Sequence, residues 1–218
     1  DGRHSSFQCV TGQPFANQPQ GGLPCFEAVV SKLQGAVHPA VPAGIDLFMK
    51  MEHLPYNHPG AGFLGGAHQP FQPQGESKSS MTLNNITVDR LGHRRELLST
   101  FDQFRRKVER QRESTSLDPF TEQALNVLTS SRLADALDLN REDPEIRASY
   151  GQDDPNALPY SSKGYKAIMS KFLLARRLVQ AGARCVSATF ADFDWHSGNF
   201  ANGRKVIPLL DQGLSALI

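Results

Sequence analysis

The stretch from residue 163 to residue 200, KGYKAIMSKFLLARRLVQAGARCVSATFADFDWHSGNF, decides the class of fold. Ile168, Phe172, Ala175 and Val179 recur at i, i+4, i+7 and i+11, the spacing of one helix face across 163–181. Gly182 follows at once, where a helix is commonly stopped by a left-handed residue. Residues 184–190 then alternate Val186, Ala188 and Phe190 with Cys185, Ser187 and Thr189, and read as a buried strand. After a short loop the helical period resumes over 199–217, with Pro208 predicting a kink or break. Helix, strand, loop, helix is one α/β unit.

The loop of that unit carries the candidate chemistry. Asp194 and His196 stand two residues apart just beyond the strand, at the edge where open α/β sheets place their sites. A carboxylate and an imidazole supply the oxygen and nitrogen donors that suit zinc, calcium or a similar divalent ion. Asp-x-His alone is a common loop pattern, so the pair gains weight only from its position.

Composition narrows the classes of function. The chain has 218 residues, 39% of them hydrophobic, and a mean hydropathy of −0.40, enough for one sizeable globular core or part of a larger one. A net charge of +1 gives no reason to expect nucleic acid or an anionic membrane as partner. No apolar run reaches the length of a transmembrane segment, and the best candidate, 172–179, is interrupted by Arg176 and Arg177. Cys9, Cys25 and Cys185 have neither zinc-finger nor CxxC spacing. Cys9 and Cys25 read as small buried thiols that could pair in an oxidising compartment, and Cys185 as a core residue of the strand. Both ends of the chain read as cut rather than finished, since the first residues look like mid-domain sequence and the final helical pattern stops without a cap.

Outward from the quoted unit, the chain divides into four stretches. Residues 1–51 read as the N-terminal part of the α/β core, with a helix over 24–33 between Pro24 and Gly35 and a strand-like stretch over 44–51. Residues 52–87 are punctuated by Pro and Gly and read as an irregular lid or insertion. His53, His58 and His68 lie along it and by default are surface or hydrogen-bonding side chains. Residues 88–150 read as a helical subdomain. Its Arg-rich run over 94–112 is interleaved with acids and is a solvated face rather than a nucleic-acid reader. Asp118-Pro119 and Asp143-Pro144 each open a helix there. Residues 151–218 hold the α/β unit with Asp194 and His196.

Several motifs in order resemble the domain-of-unknown-function 1501 family. Lys171-Phe-Leu-Leu-Ala-Arg-Arg-Leu-Val-Gln-Ala-Gly-Ala-Arg184, a strand, then Phe193-Asp-Trp-His-Ser-Gly-Asn-Phe200 follow that family's "LLARRLVEAG", strand, "WDTH..NF". Thr11-Gly12, the run from Gly62 to Phe71, the run from Asp89 to Arg95, and Tyr150-Gly151 also match, so the likeness covers nearly the whole chain. The family is similar to sulfatases and alkaline phosphatases, metal-dependent hydrolases built as an α/β/α sandwich. That resemblance implies a partial sandwich of this type with a helical insertion, in a bacterial protein that is exported or periplasmic. It implies Asp194 and His196 as metal ligands, and His4, Thr11, His68 and Asn199 as auxiliary site candidates. The substrate implied is a sulfate or phosphate ester of a small molecule or polysaccharide.

The chain departs from the pattern at Trp195, where Thr is usual, and at Phe193, where Trp is usual, without losing a ligand. Residues 152–163 lack the usual approach to the helix. The family's first acidic strand falls before Asp1, and its later "EFGR" and Asp-His segments fall after Ile218. Counting from Thr11-Gly12 puts the nucleophile position near Gly2, which has no side chain for it. No nucleophile is assigned, although Ser5 and Ser6 carry hydroxyls nearby. A fragment of a metal-dependent hydrolase and a non-catalytic exported binding or scaffold protein are both open on this reading.

Overall fold

A computed structural model describes residues 6–14, 16, 18–48, 57–73, 126–127, 130–153, 169–190, 193, 195 and 197–218. The predicted helix over 88–112 lies outside these residues, and the Asp118-Pro119 helix is described only at 126–127. The elements, in chain order, are α1 (Ser6–Thr11), α2 (Phe26–Gln34), β1 (Gly44–Leu47), α3 (Ser131–Leu137), α4 (Pro144–Ser149), α5 (Ser170–Ala181), β2 (Cys185–Ala188) and α6 (Asn199–Leu217).

β1 and β2 pair in parallel, with Gly44 opposite Cys185, Asp46 opposite Ser187 and Leu47 opposite Ala188. On the other side of β1, Phe71 forms a parallel bridge with Ile45. The Asp46 amide donates to the Phe71 carbonyl (2.9 Å) and the Phe71 amide to the Gly44 carbonyl (3.0 Å). β1 is therefore central, and all four of its residues are buried. β2 has a neighbour on one side only among the described residues, so it is half-buried and not the fully buried strand predicted. Cys185 is accordingly half-buried, Cys25 is buried, and Cys9 is exposed where a buried thiol was expected. All three are free. Mixed helices with a parallel pair make this an α/β arrangement.

The helix punctuation follows the sequence closely. Gly35 (φ 63°) and Gly182 (φ 121°) end α2 and α5, and the Gly182 amide donates to the carbonyls of both Leu178 and Val179. Asp143 caps α4 by accepting from the amides of Glu145 and Ile146, with Pro144 at the first turn. Pro208, predicted to break the last helix, lies inside an uninterrupted α6. Val206 is fully buried before it and Gly213 is buried after it, so packing holds the helix on both sides of the missing amide. A Cβ on Gly213 would run into the ring of Phe172 on α5, which is how closely the two helices approach.

The main core joins Val41, Ile45, Leu47, Leu133, Ala136, Leu178, Ala181 and Ala183, which brings α3, α5 and β1 together. On α5 the buried positions are Lys171, Leu173, Leu178 and Ala181, whereas Val179, predicted inward, is 52% exposed. The reason is that α5 packs on α3, β2 and α6 at once, which widens its covered face and leaves Val179 on the remaining open side. Two arginines clasp this layer. Arg177 donates to the carbonyls of Asp135 (2.6 Å) and Ala136 (3.0 Å) at the end of α3, and Arg132 donates to the Ala181 carbonyl at the end of α5 (2.7 Å). Each guanidinium thus satisfies carbonyls that the helix end leaves free. Glu142 completes the clasp between Arg176 (2.6 Å) and Arg177 (2.8 Å). The Arg177 hydrogen bond is the main force that holds its carboxyl below the usual range.

Candidate functional site

Polar groups gather at the carboxyl end of β1. Asp46 is almost completely buried. Its Oδ1 accepts from the Phe48 amide (2.7 Å) and its Oδ2 from Gln72 Nε2 (2.5 Å). His58, in the segment that leads to the Phe71 bridge, has a side chain only 2% exposed. Its Nδ1 lies 3.7 Å from Asp46 Oδ2 and its Nε2 lies 3.2 Å from both carboxylate oxygens of Glu27. Glu27 is fully buried in the first turn of α2, and Cys25, fully buried, is the residue before that helix. The Cys25 amide donates to the Gly60 carbonyl (2.8 Å), which fixes the helix start against the His58 segment.

Close backbone approach makes this arrangement possible. A Cβ on Gly44 would stand 2.8 Å from the Cβ of Glu27, so only glycine lets α2 lie this near β1. Burial alone would lower the basicity of His58. The hydrogen bond from Glu27 and the charges of Asp46 and Glu27 outweigh it and raise its pKa above the ordinary value. Burial likewise works against the Glu27 carboxylate, yet its bond to His58 holds its pKa low. The His58–Glu27 pairing follows the rule that buried charges are kept only when paired. Burial pushes the Cys25 thiol well up, so that group is protonated.

Cys25, Glu27 and His58 each offer one ligand atom, and these atoms lie within 4.8 Å of one another, so the three could hold a metal ion. Thiol, imidazole and carboxylate together suit zinc and are a poor set for calcium, which takes oxygen ligands. Sequence spacing marks this group only by the Cys25-x-Glu27 pair at a helix start, and His58, expected as a surface or hydrogen-bonding loop histidine, joins it from a distant segment.

The residues singled out from sequence fare differently. Asp194, His196 and His4 lie outside the described residues. Thr11 closes α1, where its hydroxyl donates to the Phe7 carbonyl (2.8 Å) and accepts from the Gln13 amide (3.2 Å). His68 Nδ1 lies 3.1 Å from the Ser31 hydroxyl on α2, and His68 is not one of the three clustered ligands. Asn199 is the exposed first residue of α6.

The described residues that flank Asp194 and His196 in sequence make the following contacts. Phe172, Phe190, Phe193 and Trp195 form a chain of ring contacts at 5.4, 6.5 and 5.4 Å. The Trp195 indole Nε1 is buried without a hydrogen-bond partner among the described residues. Lys171, buried in α5, donates to the carbonyl (3.0 Å) and the hydroxyl (3.1 Å) of Thr189, where the chain leaves β2. Burial pushes its ammonium down to about 8 against the opposing pull of Asp46 and Asp153, so it is still mostly charged at neutral pH. Beside the start of α5 lies a cavity of about 480 Å³ whose lining includes Arg147, Tyr150, Asp153 and Ser170. No described helix is long and apolar enough to cross a membrane.

No curated protein and no solved structure matches the chain. A family model does, over residues 3–218, and the chain belongs to the family described as Protein of unknown function (DUF1501).

Proposed function

We propose that this chain forms part of a metal-dependent hydrolase of the sulfatase and alkaline-phosphatase type, acting on a sulfate or phosphate ester of a small molecule or polysaccharide. The α/β/α sandwich and export to the periplasm belong to the same reading. One observation supports it: β1 and β2 run parallel, so Asp46 and Thr189, from which the sequence runs on to Asp194 and His196, lie at the same carboxyl edge.

Asp194 and His196 would hold the divalent ion. When bound, such an ion polarises an ester oxygen and stabilises the anionic transition state. The remaining work falls to the chain itself. Lys171 ties the start of the loop to α5 through Thr189 and adds positive charge at this edge, which favours an anionic ester. The Phe172, Phe190, Phe193 and Trp195 rings give this edge an apolar side. The cavity beside α5 is of a size that suits a small molecule, and Arg147 on its wall suits an anionic group.

A second reading, an exported binding or scaffold protein without activity, is favoured by a different observation. The one metal-capable group among the described residues, Cys25, Glu27 and His58, is closed to solvent. The two readings part on one experiment. In the protein that contains this chain, Asp194→Ala with His196→Ala should remove one metal equivalent and abolish hydrolysis of aryl sulfate and aryl phosphate. Unchanged metal content with unchanged hydrolysis overturns the hydrolase reading.

A further inference from the structure

We infer that Cys25, Glu27 and His58 form a structural zinc site, separate from the ion of the proposed hydrolase centre, with Asp46 orienting the histidine from behind. The inference is independent of the hydrolase reading.

The geometry is close to what zinc requires. Ligand bonds of about 2.0–2.3 Å in a tetrahedron put neighbouring donor atoms about 3.3–3.6 Å apart. His58 Nε2 is 3.2 Å from both Glu27 oxygens, so this edge of the tetrahedron is already formed. No pair of ligand atoms exceeds 4.8 Å, so bringing the Cys25 sulfur into place takes a shift of roughly 1 Å. Sulfur, nitrogen and one Glu27 oxygen fill three positions of the tetrahedron, all from buried side chains, and a water would complete it.

The back of the histidine is prepared as well. A zinc-bound imidazole commonly gives its other N–H to a carboxylate, which fixes its tautomer. Asp46 Oδ2, 3.7 Å from Nδ1, stands in that place, and the Phe48 amide and Gln72 hold its two oxygens. The Gly60 amide donates to Nδ1 (3.4 Å), and zinc on Nε2 would exchange that bond for an N–H directed at Asp46.

The site would tie the 57–73 segment to the start of α2 beside β1.

The test uses the whole protein carrying Asp194→Ala and His196→Ala, so that the outcome does not depend on the proposed hydrolase ion. After chelator treatment and reloading, it should retain one zinc per chain through desalting. With cobalt(II) in place of zinc it should show sulfur-to-metal charge-transfer absorption together with the intense visible bands of tetrahedral coordination. Adding Cys25→Ser should abolish the charge-transfer band, and adding His58→Gln should lower the zinc content. A cobalt protein without a charge-transfer band overturns the inference, and this measurement needs no variant at Cys25 that must fold. Equal zinc content with and without Cys25→Ser overturns it equally.

Discussion

The Cys25, Glu27, Asp46 and His58 group beside β1 and the described residues that follow β2, among them Thr189, Phe190, Phe193 and Trp195, are built in opposite ways. In the first, four side chains from three separated segments are closed off from water, and each charge faces an opposite one. In the second, aromatic rings meet in a tilted row, Phe193 is 48% exposed, and the Trp195 indole N–H has no partner among the described residues. A fully satisfied group specifies one structure and resists change. A buried donor left unmatched is where a structure awaits a ligand or tolerates replacement. Lys171 stands between the regions, bonded to Thr189 of one and drawn by the charge of Asp46 in the other.

The largest effect should come from breaking the closed group. Glu27→Ala leaves a buried imidazole facing Asp46 alone and should cost about 3 kcal/mol or more in urea unfolding. A loss under about 1 kcal/mol would mean that water reaches the group and that the contrast is false.

Lys171 sharpens the comparison by its pH dependence. Its pKa is about 8 in the folded chain against 10.5 ordinarily, so the unfolded chain binds more protons between those values. Stability should therefore rise with pH across this window, by up to about 3 kcal/mol, while below pH 8 both states are charged and the cost of burying the ammonium is fully felt. Lys171→Met should flatten that part of the profile in thermal denaturation at pH 8 to 10.5. Parallel curves for the two proteins would contradict the burial of the charge.

Glycine substitutions compare the two regions directly. Gly44→Ala forces a methyl to 2.8 Å from the Glu27 Cβ and should cost roughly 1–3 kcal/mol. Gly203→Ala meets the Trp195 ring at 3.5 Å, an ordinary contact, and should cost much less. Equal losses would show the loop side to be as tightly packed as the cluster. The smallest effect is expected at Trp195. Trp195→Phe removes a buried N–H that makes no bond among the described residues, so any change should be within about 1 kcal/mol and in either direction.

These contrasts also explain what could be read in the sequence. α5, Gly182, β2 and α6 were legible because period and punctuation are local, and Asp143-Pro144 announced α4 in the same way. The parity of Ile45 and Leu47 marked β1, but it gave no hint that the residue between them carries a buried carboxylate. Val179 was misplaced because periodicity finds a single face, whereas α5 is covered on several. The Cys25, Glu27 and His58 group stayed hidden because its members come together through the Gly60 to Cys25 hydrogen bond and the close approach at Gly44, neither of which has a spacing signature. The family, by contrast, was legible from ordered motifs, although motif order says nothing of which side chains meet.

The central claim is that a metal ion sits where the 189–197 loop leaves the sheet. Anomalous diffraction at the zinc edge, from crystals of the zinc-loaded protein that contains this chain, tests it directly. The account predicts a peak bounded by Asp194 and His196, apart from the one expected among Cys25, Glu27 and His58. No peak at Asp194 and His196 in zinc-saturated crystals would contradict it and leave the binding or scaffold reading in its place.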